Sequence, residues 1–141
     1  MSFSNYAAQA ILNSLFGKTS NFGVLASVPT IYIGLSSTTP NEGGTGITEP
    51  SGGAYARKST AASDWNAATL ADPSVVTNAT EQSFPAATAD WVSAANITHF
   101  VLYDAPTSGN VLGSGALTVA KSVLNGDTLS FAIDDLTVSQ D

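Results

Sequence analysis

The chain has 141 residues, 43% of them hydrophobic but only 11% charged, with a formal net charge of -7 and no cysteine. That length fits one domain with a core of its own, while the charge fraction falls well below the ~25% usual in soluble proteins. Only Lys18, Arg57, Lys58 and Lys121 are basic, which argues against a nucleic-acid or acidic-membrane surface, and the lack of cysteine excludes disulfides and thiolate metal sites.

An amphipathic helix is expected over residues 4–16. Ser4 or Asn5 supplies the N-cap, Phe3, Ala7, Ile11 and Leu15 form a stripe widened by Ala8, Leu12 and Phe16, and Gln9 and Asn13 mark the polar side. Gly17 is a suitable stop. The ordinary role of such a helix is to cover its own domain's core; docking on a partner is the alternative.

Residues 30–36 alternate Ile31, Ile33 and Leu35, the period of a strand, after Pro29. Residues 37–53 are rich in Pro and Gly and read as a long loop with little local stability of its own; Ile47 is its single large apolar side chain. A short strand is expected at 54–60 and another at 74–77, with 82–84 as a partner for the latter. Residues 96–104 form the strongest strand: Ile97, Val101 and Tyr103 occupy one face, Phe100 and Leu102 the other, so it belongs at the centre of a sheet.

A turn at Pro106-Thr107-Ser108-Gly109-Asn110 leads to a return strand at 111–113, and 117–123 is a further strand. Asn125-Gly126 reads as a hairpin turn into 128–139, where side-chain parity breaks at Asp134-Asp135 and implies a bulge or bend. Short strands separated by turn chemistry indicate a mainly β fold: a small antiparallel β-sandwich or barrel with one N-terminal α-helix, in a single domain over residues 1–141. Residues 59–71, which carry Trp65, give no assignable pattern.

Catalytic signals are sparse. His99 shares parity with Ile97 and Val101 and reads as a buried structural histidine; a triad with Asp104 and a serine has only that one histidine to build on, and no Gly-x-Ser-x-Gly elbow is present. One histidine without cysteine cannot form a structural zinc site, and the Gly43-Gly44-x-Gly46 cluster lacks the lysine of a phosphate loop. Asn78-x-Thr80 and Asn96-x-Thr98 match the glycosylation pattern by chance alone. No enzymatic activity and no cofactor are expected.

The order of segments resembles a family of tailed-bacteriophage virion proteins. The resemblance rests on Asn5-Tyr6 and Phe16-Gly17, a Pro-Thr-x-Tyr-x-Gly-Leu strand at 29–35, Gly52-Gly53-Ala54-Tyr55-Ala56-Arg57, Ile97-Thr98-His99-Phe100, Tyr103-Asp104-Ala105 and Gly126-Asp127-Thr128-Leu129-Ser130-Phe131. It covers nearly the whole chain and departs from the family at residues 59–71. Such proteins are often called tail fibre proteins, and capsid decoration, or cement, is another role of small β proteins of this kind. The resemblance implies a structural virion protein, placed first on the outer capsid surface as a homotrimer bridging the major capsid protein, and alternatively among tail, baseplate or receptor-contacting proteins. The contact residues expected are Pro40, Ile47, Pro50, Tyr55 and Arg57. A glycan-binding tail domain would instead use exposed Trp65 or Trp91.

Overall fold

The computed structural model describes residues 4–19 and 28–140. In chain order the elements are α1 (Asn5–Leu15), β1 (Tyr32–Ser36), β2 (Lys58–Ser59), a short 3-10 turn (Ala62–Asp64), β3 (Ser74–Thr77), β4 (Gln82–Ser83), β5 (Ile97–Tyr103), β6 (Val111–Lys121), β7 (Ser130–Phe131) and β8 (Thr137–Gln140). All strand pairs are antiparallel, so the class is the expected one, mainly β with one N-terminal helix. Contacts gather into two units: one of Met1–Thr30, Ala61–Glu81 and Ala132–Asp141, the other of Ile31–Thr60 and Gln82–Phe131.

In the first unit, α1 is capped by Ser4, whose Oγ accepts from the Ala7 N–H at 3.3 Å. It stops at Gly17, where φ is +68° and the Lys18 N–H reaches back to the Asn13 carbonyl at 2.7 Å. The buried stripe is Ala8, Leu12 and Phe16, while Ala7, Ile11 and Leu15 are only half-buried; Phe3 lies outside the described residues. The stripe turns this way because Phe16 meets the buried Trp65 edge-on, with ring centroids 4.7 Å apart. The expected polar side is not solvent-facing. Asn13 is buried and its Oδ1 accepts from the Ala68 N–H at 2.8 Å, while Gln9 Nε2 donates to the Ala68 carbonyl at 3.0 Å. Together they fasten an otherwise irregular segment to the helix.

β3 pairs with β8, in register from Ser74↔Gln140 to Thr77↔Thr137, and not with residues 82–84 as the sequence implied. The cause is Asn78, fully buried just after β3. Its side chain holds the Ala132 carbonyl and the Leu136 N–H, and so draws the C-terminal segment alongside.

The second unit carries a four-stranded sheet in the order β2-β1-β5-β6, with β5 between two partners as its doubly apolar pattern requires, and a separate β4-β7 ladder. The predicted strand at 54–60 shrinks to β2, because Gly52, Gly53 and Ala54 all adopt left-handed φ, of +74°, +55° and +62°, and an extended chain cannot begin there. The segments 111–113 and 117–123 fuse into the single strand β6. Gly115 makes this possible: a Cβ there would lie 2.6 Å from the Phe100 ring.

Asn125-Gly126 is a turn but closes no hairpin. The Gly126 N–H bonds the Ala87 carbonyl at 2.7 Å and the Asn125 N–H bonds Asp90 Oδ1 at 2.9 Å, so the turn is tied to residues 87–90. The strand expected over 128–139 divides into β7 and β8 at the foreseen break, where Asp134 has φ +66° and Ile133 is exposed.

Residues 37–53 are irregular, as expected, but strongly self-bonded. The Ser37 N–H bonds the Thr48 carbonyl at 3.1 Å, Thr38 Oγ1 donates to the Gly46 carbonyl at 2.6 Å, and Ser36 Oγ accepts from the N–H groups of Thr38 and Thr48. These bonds give the loop local stability that its composition does not suggest.

Candidate functional site

Most of the second unit's polar chemistry converges beside β1. The left-handed run Gly52-Gly53-Ala54 reverses the chain, and its apex is held by the Trp91 indole N–H, which donates to the Gly53 carbonyl at 2.8 Å. The reversal returns Tyr55 and Arg57 to Glu49. Arg57 binds Glu49 through both arms, Nε to Oε1 and an η nitrogen to Oε2, each at 2.8 Å. Its other η nitrogen donates to the carbonyls of Ala105 and Ser108 at 3.0 and 2.7 Å.

Those two carbonyls belong to the turn foreseen at 106–110. Asp104 closes that turn by accepting from the backbone and side-chain nitrogens of Asn110, both at 2.7 Å, which hold its carboxyl below the usual carboxylate range. The guanidinium also stacks on Tyr103, with Cζ 3.3 Å from the ring centroid. Tyr55 donates to Glu49 Oε1 at 2.7 Å and accepts from the Leu35 N–H at 3.0 Å. Gly34 on β1 admits the whole cluster, since a Cβ there would stand 2.7 Å from the Tyr103 ring and 3.0 Å from Glu49 Oε1.

A cleft of about 420 Å³ opens over this cluster, lined by Glu49, Pro50, Tyr55, Arg57, Pro106 and Ser108 among others. Of the five residues singled out from sequence, Pro50, Tyr55 and Arg57 therefore come together. Pro40 and Ile47 sit half-buried on the loop and do not line the cleft. Glu49 went unnoticed. Its one available signal was a lone acid eight residues from an arginine in a chain with few charges.

Burial pushes the Tyr55 phenol far above its ordinary value, and the Glu49 carboxylate beside it adds to the effect. Burial raises Tyr103 as well, again with Glu49 contributing. The hydrogen bond to Glu49 raises Arg57 further. In the unfolded chain both tyrosines ionise near pH ~10. Above that pH the folded protein keeps protons that the unfolded chain has lost, so stability falls as pH rises. Tyr55→Phe is expected to lose about 1–2 kcal/mol at neutral pH, because two hydrogen bonds go, and to flatten the alkaline decline. Denaturant titrations from about pH 8 to 11 check this; an unchanged slope in the variant would assign the decline to other groups.

His99 is half-buried, not buried, and its Nδ1 lies 2.8 Å from Thr98 Oγ1. Asp104 is engaged with Asn110, so the structure assembles no pairing between them. Trp65 and Trp91 are both buried, at 2% and 4% exposure, and present no ring face for a sugar. Trp91 packs instead against Tyr55 and Phe84. Among the described residues no helix is long and apolar enough to cross a membrane.

No curated protein matches the chain. A family model does, over residues 2–139, and that match agrees with the resemblance to phage virion proteins carried by the sequence motifs. The chain thus belongs to the family described as Podophage GP4 fiber I protein gp80.

Proposed function

We propose that the chain is a structural component of the phage tail, a fibre or fibre-attachment module, that works by assembling with its own copies and with neighbouring tail proteins and catalyses no reaction. The observation that carries this reading is the family match over nearly the whole chain, to a family whose description names a fibre. The geometry is compatible with it: beneath the cleft, Arg57 is committed to Glu49 and two backbone carbonyls. Such a cluster braces the loops that it joins.

The family's description favours this placement over the capsid-surface decoration that the sequence put first. The shortage of charge suits both, because either role covers much of the surface. Partner contacts are proposed at the loop bearing Pro40 and Ile47 and at the cleft rim of Pro50, Tyr55 and Arg57.

Locating the chain in reconstructed virions tests the proposal. Density at the tail, with a copy number set by tail symmetry, is expected. Copies tiling the head surface would overturn it in favour of decoration.

A further inference from the structure

The cleft over the Glu49-Arg57 pair is braced from two sides. Arg57 ties its floor to the Ala105 and Ser108 carbonyls, and Asp104 closes the turn that forms one wall. At about 420 Å³ the cleft lies within the ~300–1,000 Å³ usual for small-molecule sites. Bracing of this kind leaves little to order when a ligand enters.

The floor sets one donor beside one acceptor. Arg57 Nη2 donates to Glu49 Oε2 at 2.8 Å. The second N–H of that nitrogen has no partner among the described residues, and Oε2 accepts no other bond there. A ligand that meets both must present an acceptor and a donor the same short distance apart. Neighbouring hydroxyls on a sugar ring do so, since each can donate or accept. The hydroxyls of Ser51, Thr107 and Ser108 stand around the mouth, also without partners among the described residues. Between these polar groups the lining is apolar: Pro50, Ala56 and Pro106 suit the C–H face of a ring.

Charge narrows the class. Arg57 and Glu49 bind each other through both arms, so the floor is neutral as a whole. Neither is free to neutralise a charged ligand. With their side chains only 8% and 23% exposed, bringing in an unpaired charge is unfavourable. An anion is further opposed by the net charge of -7.

We infer that the cleft binds an uncharged sugar ring through two neighbouring hydroxyls, one accepting from Arg57 Nη2 and the other donating to Glu49 Oε2. The inference goes beyond the assembly reading: it names a ligand for the floor of a cleft whose rim that reading gives to partners. Sugar recognition here needs no exposed tryptophan face.

Titration of the full chain, followed through its amide NMR shifts, tests this. The neutral probes are the methyl glycosides of glucose, galactose and mannose; glucuronate and glucosamine are the charged controls. At least one glycoside is expected to shift the amides of residues 49–57 and 105–108, with millimolar affinity. The charged sugars are expected to bind at least tenfold more weakly. Ser51→Trp and Thr107→Trp, at exposed rim positions, crowd the mouth. Each should weaken binding at least tenfold while the melting temperature stays that of the parent. A disaccharide of whichever sugar binds distinguishes the source: tighter binding means a unit within a chain, equal binding a free monosaccharide. Shifts from none of the glycosides, shifts away from the cleft, charged sugars that bind as well as neutral ones, or binding indifferent to both rim variants would overturn the inference. Location on the virion does not enter these titrations, so failure here is separate from failure of the tail assignment.

Discussion

Arg57→Ala is expected to destabilise the protein by about 3 kcal/mol, which for a chain of this size lowers the melting temperature by about 10 °C. The side chain is only 8% exposed and that of Glu49 23%, so the pair is largely withdrawn from water. Truncation leaves the Glu49 carboxylate with Tyr55 as its remaining side-chain donor and strips the Ala105 and Ser108 carbonyls of their shared partner. Breaking a fully buried pair costs ~3–5 kcal/mol; the partial exposure of Glu49 argues for the lower end.

Four chain segments meet at this one guanidinium: Glu49, residues 55–57, the turn after β5, and Tyr103. Its loss should therefore loosen the turn at 106–108 as well as the cleft floor. A double-mutant cycle with Glu49→Ala separates the pair from the rest. Removing both partners together should cost less than the sum of the single changes, by at least ~1 kcal/mol. Additive effects would mean that the two side chains act independently and that the cleft is not braced as described.

The parts of this fold that announce themselves in the sequence are those with local periodicity. β1 and β5 were legible because Ile33, Leu35, Phe100, Val101 and Leu102 are buried together, and their apolar runs allow no other placement. The helix cap at Ser4 and the stop at Gly17 were equally local. Strand pairing was misread wherever a turn takes its partners from far away. Asn125-Gly126 has the chemistry of a hairpin, yet its N–H groups bond residues 87 and 90, and the flanking strands diverge to β5 and β4.

The polar cluster was half visible for the same reason. Tyr55 and Arg57 stood out because they lie in the Gly-Gly-x-Tyr-Ala-Arg segment that carries the resemblance to phage virion proteins. The reversal that aims them at Glu49 depends on Ala54 accepting a left-handed φ, which alanine rarely does. Asn13 and Asn78 look like surface residues by type, but both are buried, and each holds a distant segment through its amide.

Asn78 offers the sharpest test of that last point. It is fully buried; its Nδ2 donates to the carbonyls of Ala132 and Thr80 at 2.7 and 2.8 Å, and its Oδ1 accepts from the Leu136 N–H at 2.8 Å. Asn78→Asp keeps the shape and the acceptor but replaces a two-proton donor with an oxygen facing two carbonyls. Near pH 7 that oxygen carries charge, so a loss of about 4 kcal/mol is expected, more than the ~3 kcal/mol of Asn78→Ala. Both burial and the facing carbonyls oppose ionisation of the introduced carboxyl, so its folded pKa lies above the ~3.9 of the unfolded chain. A group raised in this way contributes its stability below the unfolded value and loses it as pH climbs through the folded one. The deficit of Asn78→Asp relative to the parent should therefore shrink as pH falls from about 7 to about 4.5, because the neutral acid can donate to one of the two carbonyls. The deficit of Asn78→Ala should stay level over the same range. Paired urea titrations of the three proteins at both pH values read this directly. If the Asp variant's deficit does not change with pH, the side chain is not pressed against those carbonyls, and Asn78 is not what draws β8 to β3.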